Sequence, residues 1–556
     1  MAASLDKLQA LEQWFKDNRI RYDARLIELR QVGTGYGVFA KKNLEVDQGL
    51  CIIPKDAVLS VRNCAIADTL ESLEIDGVLG LAVCLMYERH MGASSPWSAY
   101  LASLPDFEPL PIFWPSSDLA ELKGTDLATQ VQNDLVLLQA DYTAHVERFI
   151  ECSGLPAEAF SYEKFLAAAS LVSSRAFEVD DFHGQCMVPL ADLFNHRTPT
   201  RTTPGEHVHF ETDADVCMFC GTNGECWCDE VSDDGSEEEE IVDGELEGEG
   251  WVSEEEENDG EEEGDRRHQR RGRGSPSPPP LYDPEDWTRD PEEDEDFGDF
   301  DPGVDILELT VVEKCPANSE VYNTYGHHPN THLLSHYGFT SPSNPFNTVL
   351  LPLPALLSHL APPSLAPRLA FYTRIARRIV DKLESEHNDE EDEYDAEEEL
   401  MDDLDDADAA EFLDADNTNI ERDLTLTATG TASAHLRAFA HLLAVDEGTF
   451  AGFCDEPERF EGYLRQLDGD GQMKKGGKGS KKRKAGKKGV DVDRVVKDAL
   501  RTIAADRLAA YPTTVEEDER VLKTLGKSTD PASLRMRHIL VLRIGEKRIL
   551  GRVLAK

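Results

Sequence analysis

The sequence has no long apolar run and no internal repeat. No segment approaches the roughly 18–20 consecutive apolar residues of a membrane-spanning helix, so we expect no membrane association. The N-terminal stretch MAASLDKLQALEQWFKDNRI interleaves charged and apolar residues and lacks the continuous apolar core of a secretory signal. Eleven cysteines, an odd number in a chain without an export signal, indicate reduced thiols inside the cell.

Basic residues are scarce, with 56 Lys and Arg against 109 Asp and Glu, which gives a net charge of −53. The negative charge is concentrated in residues 217–303 and about 386–417. These segments contain too few apolar residues to offset the entropy lost on ordering, so we expect them to be disordered. The lysine-rich stretch 474–488 is a loop that serves as a flexible linker, a nuclear-import signal or a nucleic-acid contact. We favour nuclear import, and hence the nucleus over the cytoplasm.

The remaining chain is long enough for two domains with real cores. Within residues 1–345, strand-like alternation brackets a helical insert at about 61–185. Strand-like sequence returns after the acidic stretch at VDILELTVVEKC, Val304 to Cys315. We therefore expect the pieces flanking that stretch to share one sheet. Residues 346–556 have helical periodicity, with apolar stripes that include Tyr372, Ala376 and Leu383.

The stretch VPLADLFNHRT, Val188 to Thr198, ends an apolar run in three polar residues: Asp192, Asn195 and His196. Their spacing of i, i+3 and i+4 would place them on one face of a helical turn. A buried polar group costs roughly 1–3 kcal/mol when it has no partner. Either the protein's own backbone or a ligand must therefore satisfy them.

Two further motifs are typical of ordinary structure when each is taken alone. GTGYGVFA, Gly33 to Ala40, fits a hairpin turn, because glycine adopts positive φ without steric cost. It also fits a backbone that a ligand approaches closely, with Tyr36 as a lid. EVYNTYGHHPNTHLLSHYGF, Glu320 to Phe339, contains tyrosine-glycine pairs of the kind that commonly end strands.

In this order, the three motifs resemble the SET domain of protein methyltransferases. The details are similar to the split-SET branch that includes the Rubisco lysine methyltransferase and its fungal and animal relatives acting on ribosomal and nuclear proteins. SPWSAYLASLP, YPTTVEEDERVL and LRIGEKRIL resemble other characteristic segments of that branch. The resemblance implies an α+β fold: a SET-domain β-fold with a helical insert, followed by an all-helical C-terminal domain that resembles a substrate-binding domain.

The resemblance also implies a binding site for S-adenosylmethionine (AdoMet). Asn195 and His196 would hold the cofactor, and Tyr337, Gly338 and Phe339 would close over its adenine. The other residues implied to border it are Thr34, Gly35, Tyr36, Arg175 and Asp192. Tyr325 would be the catalytic tyrosine, whose hydroxyl orients the amine.

Methyl transfer to an amine requires that the attacking amine be aligned with the methyl group of the donor. It also requires a neutral lysine, although the pKa of free lysine is about 10.4. Desolvation in an apolar channel and the adjacent sulfonium charge both lower that pKa, so no strong base is required.

We therefore expect an AdoMet-dependent protein-lysine N-methyltransferase that acts on a ribosomal or translation-related protein. The alternatives are a histone or other nuclear protein as substrate, methylation of histidine, and a non-catalytic scaffold that binds basic proteins. The acidic segments suit a basic protein partner through long-range attraction. We expect a monomer with no direct requirement for nucleic acid.

One cluster, CMFCGTNGECWC, has the spacing of a tetrahedral zinc site. Its cysteines are Cys217, Cys220, Cys226 and Cys228. We favour reduced thiols over zinc here, because the cluster opens a segment expected to be disordered. In other SET enzymes, zinc-binding cysteines follow the core. The expected chemistry requires no metal.

Overall fold

The computed structural model describes residues 2–33, 35–200, 205–212, 216–222, 226, 228, 305–362, 364–388, 417–469 and 491–556. The predictions made for residues 217–303 and 386–417 therefore lie largely outside the described residues. Those made for residues 474–488 lie entirely outside them. In the part of the chain that is described, no helix combines the length and apolar character needed to cross a membrane.

The strands are short and form small antiparallel sheets. They are β1 (Arg21–Tyr22), β2 (Ile27–Val32), β3 (Gly35–Ala40), β4 (Gly49–Pro54), β5 (Ala176–Glu178), β6 (Gln185–Met187), β7 (Val208–Thr212), β8 (Ile306–Val311), β9 (Thr348–Leu350) and β10 (Thr425–Thr427). The largest sheet has the order β1-β4-β8-β7. The other pairs are β2-β3, β5-β6 and β9-β10.

The pairing of β7 with β8 joins the two sides of the acidic stretch. Val208 lies opposite Val311 and Thr212 lies opposite Leu307. Along β8, Leu307, Leu309 and Val311 are buried while the residues between them are partly exposed. This is the two-residue period of a strand with one face on the core. The predicted sharing of one sheet across residues 217–303 is confirmed.

Helices make up most of the rest of the described chain. They are α1 (Ala2–Asp17), α2 (Ala67–Ser72), α3 (Gly77–Met91), α4 (Ser98–Ser103), α5 (Ser116–Ala120), α6 (Asp126–Asp141), α7 (Glu147–Ser153), α8 (Tyr162–Arg175), α9 (Asn330–Tyr337), α10 (Leu353–Leu360), α11 (Leu365–Phe371), α12 (Arg377–Asn388), α13 (Asn417–Asp423), α14 (Ala434–Ala444), α15 (Glu447–Asp455), α16 (Glu458–Gly469), α17 (Val492–Ala509), α18 (Val515–Leu525) and α19 (Pro531–Ala555). One π-helical turn joins α6 to α7, and another joins α11 to α12.

The helical insert ends earlier than the sequence predicted. Its helices run from Ala67 to Arg175, and strand structure resumes at Ala176 rather than near residue 185. The reason is a hairpin: β5 pairs with β6, and the Asp180 carboxylate accepts hydrogen bonds from the backbone N–H groups of Phe182 and His183 in the connecting loop. Such side-chain-to-backbone bonds favour a turn over a helix.

Two large hydrophobic cores divide the described chain. The first collects buried residues between Leu11 and Val321, and the second collects those between Val349 and Val553. In the second core Tyr372, Ala376 and Leu383 are buried, as their periodicity predicted. The expectation of an all-helical C-terminal domain is wrong in one detail. There β9 pairs with β10, where threonine-rich sequence favours strands.

A smaller apolar cluster joins the two cores. It brings residues of the helical insert together with Leu334 of α9 and with Ile539 and Leu542 of α19. The contributing insert residues are Trp114, Leu122, Leu127 and Val131. The C-terminal helices therefore pack against the insert and against α9, the helix that leads into Tyr337 and Phe339.

Candidate active site

The segment around Asn195 and His196 is extended rather than helical. A single 3₁₀ turn covers Ala191–Leu193, and the chain is extended from Phe194 onward. The Asn195 carbonyl accepts a hydrogen bond from the Asn323 N–H (3.0 Å), which makes His196 and Asn323 parallel bridge partners. The predicted sharing of a helical face by Asp192, Asn195 and His196 is therefore wrong. The pairing of His196 with a residue 127 positions later, beyond the reach of local periodicity, overrides the helical spacing.

Asn195 is held by the protein itself. Its Nδ2 donates to Glu320 Oε1 (2.6 Å) and approaches the carbonyl oxygen of Tyr36 (3.4 Å). This arrangement depends on Gly37, because a Cβ atom there would lie 2.8 Å from Glu320 Oε1 and 2.9 Å from Asn195 Nδ2. Sequence reasoning missed both Gly37 and Glu320. Their only signals were the second glycine of GTGYG and the acidic residue that opens EVYNTYG.

The glycine motif forms the β2-β3 hairpin, so the interpretation as a turn is correct for its first half. Gly33 has φ +59° at the turn, and Val32 pairs with Gly35. The nearest atom to a Cβ added at Gly35 is a backbone oxygen 4.0 Å away, so Gly35 faces open space. Tyr36 follows it on β3. The predicted contact of Thr34 lies outside the described residues.

The His196 ring is half-buried, and its two nitrogens differ in their hydrogen bonding. Its Nδ1 accepts the backbone N–H of Tyr325 (2.8 Å), so the proton of the neutral ring must be on Nε2. Nε2 is buried and has no hydrogen-bond partner among the described residues. Burial, with a smaller contribution from His328, lowers the pKa of His196 to about 4. At neutral pH the ring is therefore uncharged and presents one unsatisfied N–H.

Four of the predicted site residues form an aromatic cluster. The ring centroid of His196 lies 4.8 Å from that of Tyr325 and 5.3 Å from that of Phe339. Tyr325 and Tyr337 are 4.5 Å apart. Gly338 ends α9 in the left-handed conformation, with φ +76°, which reverses the chain between Tyr337 and Phe339. The structure thus brings together motifs that are more than 120 residues apart in sequence.

Next to this cluster lies a cavity of about 340 Å³. Its walls combine aromatic rings with carboxyl groups, and two of those rings, Phe177 and Phe210, stack at 5.2 Å. The lining residues are Ser174, Arg175, Ala176, Phe177, Asp192, Glu206, His209, Phe210, Asn323, Thr324, Tyr325 and Tyr337. Burial raises the pKa of Tyr325 well above its usual value, so its hydroxyl stays protonated at neutral pH.

Arg175 and Asp192 form one charged wall of the cavity. Arg175, the last residue of α8, donates from Nε to Glu108 (2.8 Å), and its guanidinium lies 3.7 Å from Asp192 Oδ2. Tyr100 donates to the same Asp192 oxygen (3.0 Å). Burial raises the pKa of Asp192 to about 6, although Arg175 and Tyr100 oppose that shift. Asp192 Oδ1 is buried and has no hydrogen-bond partner in the described part of the chain.

Comparison with known proteins gives matches in both halves of the chain. Residues 407–550 match the family described as Rubisco LSMT substrate-binding. The chain is 26% identical over 357 residues to ribosomal lysine N-methyltransferase 3 of Saccharomyces cerevisiae, covering 57% of this chain and 59% of that protein. It is 30% identical over 211 residues to N-lysine methyltransferase SETD6 of Rattus norvegicus, covering 34% and 44%. The matches span less than two thirds of these relatives.

Solved structures match over most of the chain. The SET domain of LSMT bound to lysine and AdoHcy superimposes with a TM-score of 0.55 at 16% identity, covering 99% of this chain and 90% of that one. Rubisco LSMT bound to AdoMet gives a TM-score of 0.54 at the same identity. The predicted SET β-fold with a helical insert and a helical C-terminal domain is confirmed. The fold is therefore that of an LSMT-like SET protein.

Proposed function

We propose that this protein is an AdoMet-dependent protein-lysine N-methyltransferase. The observation that carries the proposal is the cavity beside Tyr325, which has aromatic walls, a buried carboxyl group at Asp192 and the adjoining unsatisfied N–H of His196. The two relatives described above are both named as lysine methyltransferases, which supports the same activity.

The residues of the Asn-His segment fit AdoMet. The buried Nε2–H of His196 needs an acceptor, and the open face of Gly35 allows close approach to the β3 backbone. Phe339 adds an aromatic surface beside His196. Gly35, Tyr36, Asn195, His196 and Phe339 would hold the cofactor. When bound, AdoMet supplies a methyl group activated by its sulfonium charge.

The cavity suits a lysine side chain. Phe177, Phe210 and Tyr337 offer apolar surface to the methylenes. The Tyr325 hydroxyl remains protonated, so it orients the amine by hydrogen bonding and does not act as a general base. Desolvation in the cavity would lower the pKa of the lysine and favour the neutral amine.

We propose a basic ribosomal or translation-related protein as the substrate. The name of the yeast relative supports this choice. The strongly acidic composition of the chain adds a physical reason, since a net charge of −53 attracts basic proteins at long range. The lysine-rich stretch 474–488 supports a nuclear location as part of the same proposal.

The test is transfer of radiolabelled methyl groups from AdoMet to proteins of an extract that lacks this enzyme. Tyr325→Phe should lower the labelling rate by on the order of 100-fold or more, because one positioned hydroxyl is lost at the reacting amine. AdoMet binding, measured by calorimetry, should persist. Tyr463→Phe is the matched control, because Tyr463 bonds to His441 in the second core and should leave labelling unchanged.

A single labelled band would also identify the substrate protein, in which the methylated residue can then be mapped. Label on a histone or on a histidine would replace the proposed substrate or acceptor. Failure of the wild-type protein to label any protein or peptide, despite measurable AdoMet binding, would overturn the enzymatic proposal and favour a scaffold that binds basic proteins.

A further inference from the structure

The four cysteines after β7 come together in space. We call Cys217, Cys220, Cys226 and Cys228 the cysteine knuckle. All four sulfur atoms lie within 4.8 Å of one another. In a tetrahedral zinc site with Zn–S bonds of about 2.3 Å, the sulfur atoms are roughly 3.8 Å apart. The knuckle therefore needs a contraction of at most about an ångström to reach that geometry.

The backbone of residues 217–222, which carries the first two cysteines of the knuckle, is folded back on itself. Cys217 N–H donates to the Thr222 carbonyl (3.0 Å), and Gly221 N–H donates to the Cys217 carbonyl (2.8 Å). Gly221 has φ +72°, a conformation that glycine adopts without strain. These bonds bring the first pair of cysteines together in a tight turn. The prediction of disorder from residue 217 onward therefore does not hold for residues 217–222.

The turn packs on the loop that joins β5 to β6. A Cβ atom at Gly221 would lie 2.7 Å from the ring of Phe182. That loop is held in turn by Arg62, whose Nε donates to the Phe182 carbonyl (3.3 Å). The knuckle is therefore built against the first domain at the point where the acidic stretch between Cys228 and Asp305 begins.

We propose that the cysteine knuckle binds one zinc ion, which fixes the end of β7 and the start of the acidic stretch. Four cysteine thiolates leave no open coordination position, so the site is structural rather than catalytic. Its position gives it an indirect effect on the cavity, because His209 and Phe210 of β7 line that cavity. Zinc binding releases the thiol protons and cross-links the four cysteines through their bonds to one ion. It therefore stabilises the folded form.

The test uses the full-length protein purified under reducing conditions without added metal. Elemental analysis should find one zinc per chain. The double variant Cys220→Ser/Cys226→Ser should lower the zinc content at least about tenfold, because two of the four ligands are lost. Cys152→Ser is the matched control: Cys152 is exposed and lies outside the knuckle, so this variant should retain one zinc.

A second measurement does not depend on how the variants fold. Zinc is removed from the wild-type protein with a chelator, and Co²⁺ is added. A tetrahedral thiolate site should show sulfur-to-cobalt charge-transfer bands and intense visible bands, and the unfolding temperature should fall on metal removal and recover on metal addition. Zinc content that persists in the double variant, or a wild-type protein that contains no zinc and gives no cobalt spectrum, would overturn the proposal. Disulfides within the knuckle under reducing conditions would also overturn it.

Discussion

Gly37 is the residue that lets Asn195 reach Glu320. A methyl group at position 37 would meet both partners of their 2.6 Å hydrogen bond at less than 3 Å. We therefore expect Gly37→Ala to displace Asn195 and to lower the free energy of unfolding by about 1–3 kcal/mol, the cost of disturbing a charged hydrogen bond. Calorimetry on the purified variants measures the effect.

The neighbouring glycine provides the control for this prediction. Gly35→Ala introduces the same methyl group into the same strand, but its nearest neighbour there is 4.0 Å away. Its unfolding temperature should match that of the wild type. Equal loss of stability in both variants would show that a methyl group at either position of the strand is unfavourable. The contact with Asn195 would then not be the cause.

Asp192 should make stability depend on pH. The pKa of Asp192 is about 6 in the folded protein, whereas the ordinary value of an aspartate side chain is 3.8. The folded state therefore binds the proton more tightly than the unfolded state does. The free energy of unfolding should therefore fall as the pH rises from about 4 to 6 and level off above, by roughly 3 kcal/mol at most. Asp192→Asn removes this titration.

The measurement is urea unfolding of both proteins at several pH values between 4 and 7. Relative to the wild type, Asp192→Asn should become more stable as the pH rises through this window. Other titrating groups are common to both proteins and cancel in the difference. A difference that does not change with pH would mean that Asp192 titrates near its ordinary value in the folded state.

At the scale of elements, α18 depends on a capping box at its start. The Thr514 hydroxyl accepts the Glu517 N–H (3.3 Å), and the Glu517 carboxylate accepts the Thr514 N–H (2.8 Å). Thr514→Ala should cost about 1 kcal/mol in urea unfolding. Thr524→Ala, at an exposed position near the C-terminal end of the same helix, should be neutral or slightly stabilising because alanine favours helix. Equal effects would contradict a capping role for Thr514.

The sequence predicted elements well where the signal is local. The stripe of Tyr372, Ala376 and Leu383 and the return of strand structure at Ile306 follow from periodicity alone. The hairpin at Ala176 did not follow, because its turn depends on the Asp180 carboxylate bonding to the backbone. Local pattern cannot distinguish such a turn from the end of a helix.

The candidate active site shows the same difference between what local sequence signals reveal and what depends on distant contacts. Motif resemblance named His196, Tyr325, Tyr337 and Phe339, and these rings meet in the structure. It gave no role to Glu320, whose importance comes from a contact with Asn195 across 125 residues of sequence. Contacts between distant segments depend on how strands pair, and the pairing of His196 with Asn323 is invisible to helical or strand periodicity.

For the whole molecule, a buried polar joint connects the helical insert to the C-terminal domain. Asp126, the first residue of α6, accepts from Arg507 of α17 (2.5 Å) and from the backbone N–H of Leu350 (2.7 Å). Beside it, Tyr511 donates to Glu546, whose carboxyl pKa is raised mainly by burial. The joint lies beside the apolar cluster that includes Leu334 of α9, so it supports the helix that carries Tyr337.

Asp126→Asn should therefore loosen the two domains from each other. The side chains of Arg507 and Asp126 are only 16% and 12% exposed, so removing the carboxylate leaves a poorly solvated guanidinium and should lower the free energy of unfolding by about 1–3 kcal/mol.

Asp498→Asn is the matched control. Asp498 lies on the same helix as Arg507 but is 58% exposed, and its ion pairs should contribute little. Hydrogen exchange should show faster exchange at the Leu350 amide in Asp126→Asn alone, since that amide loses its charged acceptor. If both variants exchange and unfold like the wild type, the apolar cluster holds the domains together without the help of this ion pair.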